Sequence, residues 1–376
     1  MFPVCLFTDR FYPDVGGGET AVDRLAGQLA GQGGKLVLAA PGPASWKPAY
    51  PFFPLEKLPS HNFPGKEAIL LQGLDCLYRQ FPFAIIHAHF AYPCGYLAVS
   101  WARERDIPVL ITCHGIDLAG EEEFGLLRDP EIAPKCRYAL GNAQGVVVLN
   151  QRMRESAVRA GVSPDRLHLI PNGVNAGEYE EIQPAPLKEP YLLSLGRLSW
   201  EKGVDLLIKA FILAARGQPD MKLVIIGWGK EAPNLINQAL TSGISDRILF
   251  KKIKTGREKA AYLQHCRLFV SPSRFEGSPI SVMEAMASRK AVVAFDIPGT
   301  NELVRNNQTG LLASPFEADS LAQRIGQLLD QPEKRKALAE RGYRLIERKH
   351  DWSTIAARYR ELYEQICFQS ESIELR

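Results

Sequence analysis

Residues 191–216 read YLLSLGRLSWEKGVDLLIKAFILAAR, and this stretch holds the repeating unit of the fold. An apolar run over the first positions ends in a glycine, as a buried strand that leads into a tight loop does. From Val204 onward, Leu207, Ala210 and Phe211 recur at helical spacing on one face, which is typical of a helix that packs against a core. The stretch therefore predicts a strand, a loop and a helix, the unit of a parallel α/β sheet.

The same alternation continues in both directions and predicts an α/β protein with parallel sheets. The predicted strands are Pro3–Asp9, Lys35–Ala40, Ala84–His89, Pro108–Cys113, Gly145–Leu149, Leu167–Ile170, Tyr191–Leu195, Lys222–Ile226, Arg247–Lys251, Leu268–Ser271 and Ala291–Ala294. The predicted helices include Thr20–Ala30, Ile69–Gln80, Gly95–Asp106, Arg152–Ala160, Val204–Arg216 and a last one of about Ser353–Phe368.

Chain length and one proline-rich segment indicate two domains. A chain of 376 residues suits two domains of roughly 180 residues each. The segment from Gln183 to Pro190 contains three prolines without periodicity, as a linker would. We therefore expect α/β domains at 1–183 and 190–350, followed by a helix within 351–376. The loops after the strands would face a cleft between the domains, because ligands of parallel sheets bind beyond the carboxyl ends of the strands.

Composition narrows the class of protein and its location. A net charge of +3 is too small to indicate nucleic-acid binding, although it suits an anionic substrate or a membrane surface. The seven cysteines include no CxxC pair, which argues against a disulfide framework or a zinc site and favours a reducing compartment. Residues 1–10 lack a basic leader, and no stretch of about 18 apolar residues occurs. We therefore expect a cytoplasmic protein, with peripheral contact at the inner face of the membrane left open.

The loop within 194–203 carries two cations between a strand and a helix. Arg197 offers a planar fork that matches a phosphate, and Lys202 adds a point charge. The positive end of the helix that starts near Val204 adds a third favourable element. The loop therefore predicts a clamp for a diphosphate.

Residues 271–287 read SPSRFEGSPISVMEAMA and place two glutamates in different environments. Ser278 is predicted to cap a helix, with Pro279 as its first residue. Glu276 would then lie in the loop before the helix, and Glu284 on the helix itself. A glutamate at that position can accept paired hydrogen bonds from a ribose. This arrangement differs from the opposed carboxylates of a glycosidase.

Three further loops follow predicted strands. The glycines at 16–18 permit close backbone approach near a helix N-terminus, although their spacing is not GxGxxG. His114 follows a strand beside Gly115 and Asp117, whereas His87 and His89 are interpreted as structural. In the loop after Asp296, a helix N-terminus near residues 300–302 would supply further N–H donors to a phosphate.

Taken in order, these residues resemble family 4 of the retaining glycosyltransferases, which have the GT-B fold of two Rossmann-like domains facing across a cleft. The resemblance extends from Gly16–Glu19 through Pro171–Val174 and the Arg197/Lys202 loop to the Glu276…Glu284 pair and the helix after Trp352. The two glutamates with seven residues between them are the hallmark of that family. Two positions depart from its pattern, since Asn175 replaces an aspartate and Pro298-Gly299 replaces a pair of glycines.

The resemblance implies a role for each matching residue. Arg197 and Lys202 would hold the donor diphosphate and stabilise it as a leaving group. Glu276 would contact hydroxyls of the transferred sugar, Glu284 would bind the nucleotide ribose, and His114 would approach the sugar. The other implied donor-binding positions are Gly16, Gly17, Gly277, Ser278 and Pro279. The first domain would bind the acceptor and the second the donor, and the last helix would cross back onto the first.

The expected activity is transfer of a hexose-type sugar, with retention of configuration, from a UDP-, GDP- or ADP-sugar to a glycan, lipid-linked or small-molecule acceptor. No Asp-x-Asp occurs in the chain, so the cations of the clamp would do the work of a metal, and we expect no cofactor or essential divalent ion. Residues 46–66 mix aromatics, prolines and lysines without periodicity. They predict either a loop that touches a lipid-linked substrate or an anionic membrane, or a loop that covers the domain.

Rival functions differ in the features that they require. A nicotinamide-dependent dehydrogenase needs GxGxxG followed by an acidic residue, which the first loop lacks. A non-catalytic nucleotide-sugar-binding protein would not hydrolyse a nucleotide sugar. A nucleotide-sugar epimerase or a phosphorylase is the nearest enzyme alternative of the same fold, and a phosphorylase would bind pyridoxal phosphate.

Overall fold

The computed structural model describes residues 2–11, 16–43, 47–56, 65–119 and 125–374, with the backbone alone for 370–374. The chain divides into two compact units, Met1–Pro171 with Trp352–Arg376 and Asn172–Asp351. Each unit is an α/β layer structure around its own parallel sheet.

The first unit contains a seven-stranded parallel sheet in the order β3-β2-β1-β4-β5-β6-β7. The strands are β1 Val4–Phe7, β2 Leu36–Pro41, β3 Phe52–Leu55, β4 Ile85–His89, β5 Val109–Thr112, β6 Gly145–Val148 and β7 Leu167–Leu169. The helices are α1 Gly17–Gly31, α2 Lys66–Gln80, α3 Tyr96–Ala102, α4 Ile132–Asn142 and α5 Gln151–Arg159. The central strands are buried along their whole length, as expected for a sheet covered on both faces.

The second unit contains a six-stranded parallel sheet in the order β10-β9-β8-β11-β12-β13. The strands are β8 Tyr191–Leu195, β9 Lys222–Ile226, β10 Ile248–Lys251, β11 Leu268–Ser271, β12 Val292–Phe295 and β13 Leu311–Ala313. The helices are α6 Val204–Ala214, α7 Ala232–Leu240, α8 Gly256–His265, α9 Ile280–Ala287, α10 Ala318–Asp330 and α11 Pro332–Lys349. The predicted α/β class and the eleven predicted strands are confirmed, with small shifts at their ends.

Two edge strands were not predicted. β3 lies inside the segment 46–66, which was interpreted as lacking periodicity, and it pairs in parallel with β2. It contains Pro54, which is tolerated because an edge strand needs hydrogen bonds on one side only. β13 is three residues long and pairs with β12. Residues 46 and 57–64 of the predicted acceptor-side loop, 46–66, lie outside the described residues.

The C-terminal helix, α12, spans Trp352–Glu374 and belongs to the first unit. Its Tyr363 hydroxyl lies 2.7 Å from Nδ1 of His87 on β4, and its Tyr359 hydroxyl lies 3.3 Å from Oγ1 of Thr112 on β5. The helix is therefore joined to the sheet by buried polar contacts as well as apolar ones.

The division between the units falls before the proline-rich segment that was predicted as a linker. Gln264 on α8 accepts a hydrogen bond from the backbone N–H of Gln183 at 2.9 Å, and its amide group donates to the carbonyl groups of Tyr179 and Glu181. Because these bonds hold it, the chain from residue 172 to Gln183 packs on the second unit.

No helix in the described part of the chain is long and apolar enough to cross a membrane.

Candidate functional site

The loop after β8 is shaped by close contacts between backbones. A Cβ atom on Gly227 would lie 1.9 Å from the carbonyl oxygen of Gly196, and one on Gly229 would lie 2.2 Å from that of Leu198. Only glycine fits at 227 and 229, so the turn after β9 packs directly on the loop that carries Arg197.

A second glycine contact places Lys202 beside the loop after β11. Gly203 has a φ of 63°, and a Cβ atom there would lie 2.0 Å from the carbonyl oxygen of Pro272. Arg274 forms two hydrogen bonds with the carboxylate of Asp205, at 2.8 and 2.7 Å, and stacks on the ring of Trp200. These contacts join the β8–α6 and β11–α9 loops into one rigid edge.

Glu276 lies in that edge and is paired with Lys202. Its Oε1 accepts hydrogen bonds from Nζ of Lys202 at 2.8 Å and from Oγ of Ser273 at 2.6 Å. The Glu276 side chain is 8% exposed, whereas that of Lys202 is 29% exposed. The two residues proposed to contact different parts of one donor are therefore in direct contact with each other.

The start of α9 differs from the prediction. Pro279 has a ψ of 100°, so it occupies the cap position and the helix begins at Ile280, one residue later than predicted. The hydroxyl of Ser278 does not cap the helix. It accepts the backbone N–H of Asn172 at 3.1 Å, and the Asn172 amide group donates to the Ser278 carbonyl. The cap prediction was wrong because a partner distant in sequence takes the hydroxyl.

Glu284 on α9 is buried and paired with a residue that the sequence analysis missed. Nζ of Lys259 on α8 lies 2.5 Å from its Oε1, and the two side chains are 19% and 7% exposed. Met283 and Ala287 on the same helix are buried in the core. Because helices α8 and α9 are separated in sequence by a strand, no local spacing pattern could have identified Lys259.

A small, open cavity adjoins this edge, between the carboxyl ends of β8 and β11. Its lining includes Arg197, Lys202, Ser273, Glu276 and Ser281. Arg197 is exposed and has no hydrogen bond or ion pair with any residue that the structure describes. The cavity thus combines two cations, one carboxylate and four serine hydroxyl groups.

The loop after β12 does not contain the predicted helix N-terminus. Residues 298–303 form turns, and no helix lies between β12 and β13. The hydroxyl of Thr309 holds the end of these turns, because it donates to the carbonyl of Leu303 and accepts the N–H of Arg305. A proposal of N–H donors at a helix start near residues 300–302 is therefore wrong.

In the first unit, α1 begins three residues earlier than predicted. Gly16 is extended and caps the helix, so Gly17 and Gly18 lie in its first turn rather than in a loop. A Cβ atom on Gly18 would lie 2.9 Å from the ring of Phe90 and 3.7 Å from Nδ1 of His114. Gly18 therefore permits the helix start to lie against His114. Residues 12–15 of this glycine-containing loop lie outside the described residues.

His114 is half-buried and bonded to a second histidine. Its Nε2 lies 3.0 Å from Nδ1 of His89, and its backbone N–H donates to the buried carboxylate of Asp117 at 2.7 Å. Burial, together with the charge of Arg10, lowers the pKa of His114 to about 3. His114 is therefore a neutral imidazole at physiological pH.

No group of three or more His, Cys, Asp or Glu side chains suited to a metal ion occurs in the described part of the chain.

Two family models match consecutive parts of the chain. The model described as Glycosyltransferase Family 4 matches residues 15–178, and the one described as Glycosyl transferases group 1 matches residues 176–345. Together they cover both units and the edge that carries Glu276 and Glu284.

Known relatives agree with this assignment. The alpha-D-kanosaminyltransferase of Streptomyces kanamyceticus is 27% identical over 300 residues, which are 75% of this chain and 78% of the relative. The alpha-monoglucosyldiacylglycerol synthase of Streptococcus pneumoniae is 27% identical over 333 residues, 82% of this chain and 74% of the relative.

Solved structures agree at the level of the fold. Sucrose-phosphate synthase of Thermosynechococcus elongatus has a TM-score of 0.81 at 22% identity, over 97% of this chain and 99% of that one. Anabaena HepE in complex with UDP-glucose has a TM-score of 0.81 at 19% identity, over 97% and 100%. The chain therefore belongs to the group 1 glycosyltransferases with the GT-B fold, and it is an enzyme that transfers glycosyl groups.

Proposed function

We propose that the enzyme transfers a hexose-type sugar from a nucleoside diphosphate sugar to a hydroxyl acceptor with retention of anomeric configuration. The observation that carries the proposal is the cavity in which Arg197, Lys202 and Glu276 converge. Two cations suit a diphosphate, and a buried carboxylate beside them suits the hydroxyl groups of the attached sugar.

The cations act on the leaving group. As the glycosidic bond breaks, negative charge accumulates on the departing diphosphate, and preorganised donors stabilise that charge. Arg197 is exposed and forms no hydrogen bond or ion pair with a described residue, so its side chain can turn to the phosphate without breaking such a bond. Lys202 is positioned by Glu276 and by the fixed turn at Gly203. With these charges in place, we expect transfer to continue in the presence of EDTA.

Glu276 acts on the sugar rather than as a nucleophile. Its Oε1 already accepts from Lys202 and Ser273, and such bonds stabilise the carboxylate and reduce its tendency to attack carbon. We therefore favour attack of the acceptor on the same face that the diphosphate leaves, with a donor phosphate oxygen taking the acceptor proton. Isolation of a covalent sugar adduct on Glu276 would instead establish double displacement.

Glu284 acts on the nucleotide. Its carboxylate, in the middle of α9, is held by Lys259, and a carboxylate with a free lone pair can accept both hydroxyl groups of a ribose. HepE is solved with UDP-glucose, so UDP-glucose is the first donor to test here. One relative is named for a diacylglycerol glycolipid and another for kanosaminyl transfer, so both lipid and small-molecule acceptors belong in the screen.

The experiment combines a donor panel with charge variants. UDP-, GDP- and ADP-sugars are tested for a rise in melting temperature and for slow hydrolysis by the purified chain. Arg197→Ala and Lys202→Ala should each lower turnover about 10²–10³-fold, because each removes a charge donor to the leaving group. Lys209→Ala, at an exposed position on α6, is the matched control and should leave turnover unchanged. Near-normal turnover in both clamp variants would contradict the proposal.

A further inference from the structure

Three histidines lie in a row in the first unit, and of these only His114 has an implied contact with the transferred sugar. The rings of His87 and His89, both on β4, lie 4.2 Å apart, and the rings of His89 and His114 lie 5.2 Å apart. His87 is bonded at both nitrogens, to the hydroxyls of Tyr363 and Thr112 at 2.7 Å each. The ring of His87 is therefore fixed in orientation, and His89 packs between His87 and His114.

The bond between His89 and His114 constrains the protons of both rings. Burial lowers the pKa of His114 to about 3 and holds that of His89 well below its ordinary value, so both imidazoles are neutral. A neutral imidazole has one N–H and one lone pair. An N···N hydrogen bond of 3.0 Å between two such rings holds a single proton, so the tautomers of the two rings are coupled. If His114 donates, Nε2 of His89 is a buried N–H without a partner among the described residues, and if His89 donates, Nδ1 of His114 is.

The surroundings of His114 decide which tautomer is favoured. Its Nδ1 is buried and has no hydrogen-bond partner among the described residues. Nδ1 faces the start of α1, since a Cβ atom on Gly18 would lie 3.7 Å away. The N-terminal end of a helix carries a partial positive charge and unpaired N–H groups, which favour a lone pair over an N–H at that position.

We propose that His89 is a positioning residue, which accepts the Nε2 proton of His114 and thereby keeps Nδ1 of His114 unprotonated towards the first turn of α1. The bond also fixes the ring plane of His114, because His89 is packed against the doubly bonded His87. His114 is thus held in one orientation for the contact with the transferred sugar. This inference rests on the proposed function only where it concerns the rate of transfer.

The tautomer can be measured without activity. Nuclear magnetic resonance of protein labelled with ¹⁵N-histidine reports which ring nitrogens are protonated. The signals of His114 are identified as those that disappear in His114→Ala. They should show a protonated Nε2 and an unprotonated Nδ1. In His89→Leu this single pattern should be lost, whereas His89→Asn, which offers an amide oxygen near the former Nδ1, should retain it. Tyr363→Phe is the control, because it removes a partner of His87 and leaves the His89–His114 pair intact. A protonated Nδ1 in the unmodified protein would overturn the proposal even if His89→Leu does not fold.

Transfer kinetics test whether His89 acts through His114. His89→Leu should lower kcat about tenfold or more with little change in the donor KM, because the reacting groups are displaced rather than lost. His89→Asn should recover most of that loss.

The double variant His89→Leu/His114→Ala should be no slower than His114→Ala alone. Additive losses would contradict a positioning role. If His114→Ala transfers normally, the proposed role of His114 fails while the tautomer measurement still decides the role of His89.

Discussion

At the scale of single residues, the two glutamates of the β11–α9 loop and of α9 are each paired with a lysine. Glu276 contacts Lys202, which precedes it by 74 positions, and Glu284 contacts Lys259, which lies on another helix. A lysine that donates a hydrogen bond to a buried carboxylate holds that carboxylate in one place. Both side chains are thus oriented before any substrate arrives, which reduces the cost of ordering them on binding.

The Glu284–Lys259 pair allows its structural and binding roles to be separated. Glu284→Gln should weaken donor nucleotide binding and destabilise the fold by about 2 kcal/mol, because Lys259 is left mostly buried without its carboxylate. The double variant Glu284→Gln/Lys259→Met should recover stability but not nucleotide binding. Calorimetric titration with UDP and chemical denaturation measure the two effects. Recovery of nucleotide binding in the double variant would show that Glu284 acts only through the fold.

At the scale of elements, α6 depends on the backbone conformation of Gly203. Gly203→Ala should destabilise the protein by more than about 2 kcal/mol, because it adds strain at a φ of 63° and a clash with the Pro272 carbonyl. Its donor affinity should also fall, since Lys202 is the preceding residue. Gly326→Ala, in the interior of α10 with no atom within 4 Å of the new Cβ, should stabilise by about 0.5–1 kcal/mol. Chemical denaturation curves give the free energy of unfolding of both variants. A loss in Gly203→Ala alone indicates strain and a clash at residue 203, whereas a loss in both variants indicates a general effect of replacing glycine with alanine.

The packing of α12 on the sheet rests partly on one hydroxyl group. Tyr363→Phe leaves Nδ1 of His87 buried without a partner and should cost about 1–3 kcal/mol. Tyr138→Phe, whose half-buried hydroxyl has no hydrogen bond to a described residue, should change stability by less than about 0.5 kcal/mol. Hydrogen exchange in α12 and β4 reports the effect locally. Equal losses in the two variants would show that the His87 contact contributes nothing specific.

At the scale of the whole molecule, the two units should respond differently to acid. Burial lowers the pKa of His87 and of His114 to about 3, and that of His89 is also lowered. All three lie in the first unit, and each binds a proton more readily when unfolded, where its pKa is about 6.5. The stability of this unit should therefore fall as the pH drops from about 6.5 towards 3, by up to about 1.4 kcal/mol per pH unit for each histidine.

Hydrogen exchange at pH 7 and pH 5, corrected for intrinsic rates, measures this difference. Peptides from β4 and β5 should lose more protection at pH 5 than peptides from β8 and β9 of the second unit. An equal loss in both units would mean that the buried histidines do not control acid sensitivity.

The strand–loop–helix alternation, most strand positions and the residues of the proposed diphosphate clamp were predictable from sequence alone. Each depends on short-range information: periodicity over one element, a glycine at the end of a strand, or charges within one loop. The stretch 191–216 contains all three, and its strand and helix form as predicted, with α6 ending at Ala214. β3 and β13 were not predicted, because they are short edge strands that form by pairing with their neighbours β2 and β12 in the sheet.

Only the tertiary structure decided which distant side chains meet. The pairing of Lys259 with Glu284, the capture of the Ser278 hydroxyl by Asn172 and the contact of His89 with His114 join residues on different elements. So does the addition of α12 to the first unit, which depends on buried tyrosine hydroxyls meeting His87 and Thr112. Such contacts follow from the packing of whole elements, which no local sequence pattern encodes, and they determine how the predicted residues are held in place.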